Sequence, residues 1–311
     1  MPLDPRAQRF LERLAASNPQ SALSLTVAAR RAALADLLAM CAAPIPMQQV
    51  EDRTVPGPAG PLPLRIYLPA QAPANGALGL VYFHGGGFVA GSLDTHDHIA
   101  RALANACGAR VISVGYRLAP EHRFPAAIED GCAAARWVAA NAGALGLDPA
   151  RLVACGDSAG ATLAAVVCQS TAAHGSVRWA LQMLLCPIMD FHAATASRAE
   201  LASGYFLDQA TLEHDLRHYL GPGADPADPR VSPLRARELS QLPPTCIHTA
   251  EFDPLRDEGR EYAQRLELAG VRTLYRCHSG MIHLFYGMGA LIPYAARGFE
   301  LIGADMRAML A

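Results

Sequence analysis

The sequence contains no lysine: every one of its 26 basic residues is arginine. A Schiff-base enzyme needs a lysine amine, a phosphate-cradling P-loop needs its lysine, and so does a Ser-x-x-Lys dyad. All three mechanisms are therefore excluded. Charge of either sign is also scarce, at 17% of 311 residues with a formal net charge of −2, and the arginines are scattered rather than clustered. Nothing in that balance would draw the chain to nucleic acid. None of the eight cysteines forms a Cys-x-x-Cys pair, and most lie in apolar runs. They read as small buried hydrophobes in a reducing compartment, not as a disulfide frame or a zinc site. The first residues carry Asp4, Arg6, Arg9, Glu12 and Arg13 without the apolar stretch of a signal peptide. The longest uncharged window, residues 158–177, holds Gly160, Thr162, Gln169, Ser170, Thr171 and His174. A buried helix followed by a loop fits it better than a membrane span. The expectation is a cytoplasmic protein with no membrane or nucleic-acid partner.

At this length, one large α/β domain with an appended subdomain is expected. Residues 20–43 are rich in Ala and Leu and predict an amphipathic helix outside the sheet, ended by Pro44 and Pro46. Two strands are predicted near 47–56 and 62–68, around a Pro/Gly turn. Short apolar runs at 78–83, 111–114, 152–155, 181–186, 245–249 and 271–276 then alternate with helical patterns at 95–107, 124–141, 159–173, 254–269 and 294–310. That alternation predicts a mostly parallel sheet of eight strands flanked by helices on both faces. Residues 190–235 break it. They hold a helix-like piece at 208–220 and the Pro/Gly/Asp-rich GPGADPADPR, and read as an insertion at the strand ends.

The chemistry is carried by a few short strings. Gly156-Asp157-Ser158-Ala159-Gly160 matches G-x-S-x-G between a predicted strand and a predicted helix. A nucleophile on so tight a turn needs small neighbours, and the helix N-terminus behind it favours developing negative charge. His84-Gly85-Gly86-Gly87 follows another strand, and bare glycine backbone can approach a ligand closely. The N–H groups of Gly85, Gly86 and Ala159 are the expected oxyanion hole, with His84 an anchor of its loop. A serine hydroxyl needs a base, and without lysine that base is a histidine oriented by a carboxylate. In such sheets acid and base lie after later strands, which selects Asp253 and His283. Asp257 is the rival acid, read as a helix-surface charge, and His278 is the rival base, read as a strand-end residue.

With these residues assembled, the chain resembles the bacterial hormone-sensitive-lipase-like (family IV) esterases of the α/β-hydrolase superfamily. The resemblance rests on HGGGF at 84–88, YRLAPE at 116–121, GDSAG at 156–160, DPLRDEG at 253–259 and GMIH at 280–283, in that order, and runs from about residue 47 to the end. It implies an α/β-hydrolase fold and a serine carboxylesterase that acts on small to medium acyl esters. It puts catalysis on Ser158, Asp253 and His283, and the oxyanion donors on Gly85, Gly86 and Ala159. It implies no cofactor and no metal. A helical cap would come from residues 1–46 and 190–235, over a catalytic domain of 47–189 and 236–311. The only partner implied besides a small-molecule ester is a second copy, a homodimer through the last strand. Where the family usually has glycine just after the catalytic histidine, this chain has Leu284, whose bulk narrows the pocket mouth.

Asp157 is expected to support the nucleophile by hydrogen bonding, and Tyr116, Arg117 and Glu121 to anchor the loop after the fourth strand. His214 and His218 stand i, i+4 as metal ligands could, but with no third ligand evident they read as a solvated helix face. His96-Asp97-His98 reads as part of the turn into a helix. Leu23, Leu25, Leu34, Leu37, Leu38 and Met40 either line an acyl pocket or simply dock their helix. The same triad would serve an amidase or a lactonase. A non-catalytic ligand-binding relative is the reading from another class, and the presence of His283 argues against it.

Overall fold

The computed structural model describes residues 2–17, 20–42, 44–173 and 175–311. Its strands are β1 (Gln49–Gly57), β2 (Gly60–Leu68), β3 (Ala77–Phe83), β4 (Arg110–Val114), β5 (Leu147–Asp157), β6 (Trp179–Leu185), β7 (Thr245–Phe252) and β8 (Thr273–Ile282). They form one sheet in the order β1-β2-β4-β3-β5-β6-β7-β8. β2 runs antiparallel to both of its neighbours, and every pairing from β4 to β8 is parallel. This is the expected eight-stranded, mostly parallel architecture.

Period-2 alternation sends successive side chains of each central strand to opposite faces. In β3, Val81 and Phe83 join one apolar cluster, while Leu80 and Tyr82 join the other. The first cluster is roofed by α4 (Ala126–Ala140), α5 (Ala159–Ala173) and α8 (Arg256–Leu268) through Ile128, Val167 and Leu266. The second is closed by α3 (Asp97–Cys107) and α9 (Tyr294–Leu310) through Leu103 and Ile302. Strands buried on both faces read as continuous apolar runs, which is why the sequence pattern located them. No described helix is long and apolar enough to cross a membrane, and the uncharged window forms α5, with His174 outside the described residues.

Three differences from the expected elements have local causes. Helix α1 (Pro5–Ala16) was not anticipated; Asp4 caps it by accepting from the Arg6 and Ala7 N–H groups, with Pro5 at its first position. The expected helix over 20–43 divides into a short 3-10 turn at Ala22–Ser24 and α2 (Val27–Cys41), because Leu25 is extended and Thr26 starts a new helix by accepting from Ala29 N–H. Its last residue, Ala43, lies outside the described residues. β8 starts later and runs further than expected, so His278 sits within the strand rather than at its end.

Residues 190–235 form α6 (Ala196–Glu200), α7 (Gln209–Tyr219) and a 3-10 turn at Pro233–Arg235. They pack against the N-terminal segment, with α7 lying against the 3-10 turn at Ala22–Ser24. Phe10 packs edge-on against Phe206 with ring centroids 5.7 Å apart, and Arg30 of α2 pairs with Asp215 of α7 at 2.9 Å.

Candidate active site

Ser158 stands on the turn between β5 and α5 with φ at 53°, a left-handed backbone that residues with a Cβ rarely adopt. Its N–H donates to Leu185 O at 2.8 Å, tying the turn to the end of β6. The flanking glycines are sterically required. A Cβ on Gly156 would run into the Gly160 carbonyl, and one on Gly160 into the carbonyls of Phe83 and His84. The chain can turn this sharply only where those positions are bare, and the turn lifts the serine hydroxyl off the sheet.

His283 directly follows β8 and Asp253 directly follows β7, so both reach the same end of the sheet as Ser158. His283 Nε2 lies 3.1 Å from Ser158 Oγ, and His283 Nδ1 lies 2.7 Å from Asp253 Oδ2. A carboxylate only accepts, so Nδ1 carries the ring proton and Nε2 is left to accept from the serine hydroxyl. Asp253 is fully buried and its other oxygen accepts from Leu255 N–H at 2.9 Å. The three side chains thus form one directional hydrogen-bonded line.

Asp257, the rival acid, does not join it. It lies in the first turn of α8 and accepts from Ser197 N–H at 2.9 Å while pairing with Arg256. With a side chain only 10% exposed, it is a tie between α8 and α6 and not the expected surface charge. His278, the rival base, points Nε2 at His248 Nδ1, 3.0 Å away, and Nδ1 at the Tyr294 hydroxyl.

The glycine loop corrects one expectation. Gly85 N–H donates to Asp157 Oδ1 at 3.0 Å, so it is not free for an oxyanion. The same carboxylate oxygen accepts from Tyr82 OH at 2.5 Å, and His96 Nε2 lies 3.6 Å from the other oxygen. Burial would raise the Asp157 carboxyl, but His96 and Tyr82 outweigh it and hold it below the usual range. Asp157 is therefore the post that fixes the loop, and the next two glycines, Gly86 and Gly87, face the cavity beside Ser158. Their φ values are 119° and 66°. A Cβ on Gly87 would overlap the Asp215 carboxylate. Ala159, the remaining expected donor, opens α5 immediately after Ser158.

His84 stacks on Tyr116 with centroids 4.4 Å apart, and Tyr116 OH donates to His84 O at 2.6 Å. Burial, reinforced by His96, pushes the His84 imidazole down to about 3, so it is a neutral strut. Arg117 grips Asp130 of α4, and Glu121 binds Arg31 of α2, so the loop after β4 is held from two sides. The His96-Asp97-His98 string diverges: His98 Nε2 bonds Gly287 O, and Asp97 binds Tyr67 and Arg101.

The site opens into a cavity of about 750 Å³. Leu25, Leu34, Leu37 and Met40 line it, whereas Leu38 is packed into the core and Leu23 faces solvent. Leu284 lines it too, with φ at 60°, a conformation that glycine adopts freely. His214 is fully buried with Nδ1 2.9 Å from Asp215 Oδ1, which corrects its reading as a solvated residue.

Residues 80–287 match the model of a family described as alpha/beta hydrolase fold. The chain belongs to that family, in its hormone-sensitive-lipase-like branch. An ethyl acetate hydrolase of Pseudomonas putida is 42% identical over 78% of this chain and 76% of its own. An arylesterase of Saccharolobus solfataricus is 36% identical over 92% of this chain and 93% of its own. The solved structure of a hyperthermophilic esterase from Pyrobaculum calidifontis superposes with a TM-score of 0.94 at 39% identity, covering 100% of both chains. With relatives of this kind, the protein is a carboxylesterase whose substrates are small-molecule esters.

Reading the sequence missed three parts of the esterase's site. The register of the glycine loop was ambiguous, because three identical glycines give no sign of which N–H a distant carboxylate takes. The Arg30–Asp215 pair joins residues 185 positions apart, and no local pattern announces it. Cys186 also went unmarked: its sulfur, an Asp253 oxygen and a His283 nitrogen all lie within 4.8 Å of one another, and its φ is 45°.

Proposed function

We propose that this carboxylesterase cleaves esters of small to medium acyl chains by two-step acyl transfer. Ser158 is the nucleophile, His283 the general base and then acid, and Asp253 the group that orients the ring and offsets its charge. The observation that carries the reading is the Ser158 Oγ–His283 Nε2–Asp253 line, 3.1 and 2.7 Å long, at the floor of the cavity. As Ser158 attacks the carbonyl carbon, its proton passes to His283 Nε2. The oxyanion is held by the N–H groups of Gly86, Gly87 and Ala159, at the N-terminus of α5. The same proton then moves to the departing alcohol. Water, deprotonated by His283, attacks the acyl-serine, and as the acid is released His283 returns the proton to Ser158 Oγ.

Residues 1–46 and 190–235 act in this reading as a cap, and a cavity of about 750 Å³ suits substrates of modest size. We place the enzyme in the cytoplasm, a reducing compartment that suits its seven buried free thiols. The test is Ser158→Ala with 4-nitrophenyl butyrate. Turnover should fall by at least about 10⁴-fold while the melting temperature and far-UV circular dichroism hold. Turnover that survives the change would show that another residue is the nucleophile.

A further inference from the structure

Arg6, Arg9 and Arg13 follow one another on α1 at intervals of three and four residues, which sets them on one helix face. All three line the cavity that holds Ser158. All are exposed, and among the described residues none has an ion-pair or hydrogen-bonding partner for its side chain. The wall also carries Arg30 and four carboxylates, Asp36, Asp157, Asp208 and Asp215, of which buried Asp157 is held by Tyr82, Gly85 N–H and His96. Arg30 and Asp215 neutralise each other at 2.9 Å, and Asp208 caps α7 by accepting from Thr211 N–H at 2.7 Å. Among the described residues Asp36, exposed on α2, has no side-chain partner, and Asp208 has no counter-ion. Among the described residues, Arg6, Arg9 and Arg13 are thus the cavity's exposed guanidinium groups without a side-chain partner, gathered on one helix face of an otherwise largely apolar cavity.

A guanidinium fork matches a carboxylate in shape and charge, and several of them around a low-dielectric cleft raise the local concentration of anions. From this geometry, and resting on the Ser158 reading above, we propose that the esterase favours esters with a carboxylate at the end remote from the scissile carbonyl, such as half-esters of dicarboxylic acids. The apolar walls take the hydrocarbon spacer, and the α1 arginines take the terminal charge. Exposed cations act through screened fields, so the preference is moderate and salt-dependent.

The test compares the mono-4-nitrophenyl ester of suberic acid with 4-nitrophenyl octanoate, for wild type and for the triple variant Arg6→Gln/Arg9→Gln/Arg13→Gln. The ratio of kcat/KM for the anionic ester to that for the neutral one should fall about three- to tenfold in the variant. In the wild type, that ratio should also fall between about 20 mM and 500 mM salt, a range over which the screening length shrinks several-fold. An unchanged ratio, a salt-insensitive ratio, or an equal loss on both esters would overturn the proposal. Running Ser158→Ala beside these proteins keeps the two readings apart. Turnover surviving there would sink the catalytic assignment, while the arginine ratio would still be judged by its own numbers.

Discussion

The carboxylate of Asp215 packs against Gly87 while it accepts from Arg30 at 2.9 Å. One ion pair thus joins the helix before the sheet to the helix of the late insertion, and rests both on the glycine loop. The side chains of Arg30 and Asp215 are 13% and 4% exposed, so removing the cation leaves a buried anion with His214 Nδ1 as its remaining side-chain partner. Arg30→Met should cost about 3 kcal/mol and lower the melting temperature by several degrees. It should also lower kcat, because the uncompensated charge then sits beside the proposed oxyanion donors. Adding Asp215→Asn should recover most of both losses. A double variant no better than Arg30→Met would contradict this account of the pair.

Asp253 and Asp257 are four residues apart and differ in what they touch. Asp253→Asn removes the acceptor that fixes the His283 proton on Nδ1, and kcat should fall about 10³- to 10⁴-fold. Asp257→Asn weakens a tie from α8 to α6 and should cost about 1 kcal/mol of stability, with kcat within about threefold of wild type. Steady-state kinetics of both variants, with melting curves, check the contrast. Equal losses of kcat would leave the acid wrongly assigned.

Leu284 combines a left-handed backbone with a side chain only 5% exposed. Leu284→Gly would relieve about 1–2 kcal/mol of backbone strain but remove a buried side chain worth about 2–5 kcal/mol. The second effect is larger, so the melting temperature should drop. The cavity beside His283 should widen, raising the relative kcat/KM for bulkier esters. A gain in melting temperature would mean that strain, not packing, dominates at this position.

His278 and His248 form a buried neutral pair, 3.0 Å apart. Burial, with Arg276 adding to it, pushes His278 down to about 4, and burial holds His248 well below the ordinary imidazole value. The unfolded chain takes up these protons near 6.5 and the folded chain does not, so stability is full above about 6.5 and is lost as pH falls toward 4. The contribution of His278 is of order 3 kcal/mol across that window. Melting temperature against pH should show the decline in wild type, and a shallower one in His278→Gln. Identical slopes would remove this pair as the source.

The sheet was legible because buried parallel strands are short apolar runs, and the turn at Ser158 was legible because GDSAG and its flanking elements are contiguous. Asp253 and His283 followed from chain order alone. What escaped depends on distant partners. The Asp157 carboxylate, not any local feature, decides that Gly85 holds the loop while Gly86 and Gly87 face the cavity. His214 looked solvated because its helix is polar, yet it is buried beside Asp215. Helix α1 is a different case: Asp4 before Pro5 is a helix-start signal that could have been used.

The most direct test of the catalytic line is labelling with a fluorophosphonate, followed by peptide mass mapping. The chain has no lysine amines to react in competition. The account predicts one adduct per chain, on Ser158, formed with loss of esterase activity and abolished in Ser158→Ala and, through loss of the base, strongly slowed in His283→Ala. Inactivation with the adduct on any other residue, or full activity after Ser158 is labelled, would contradict it.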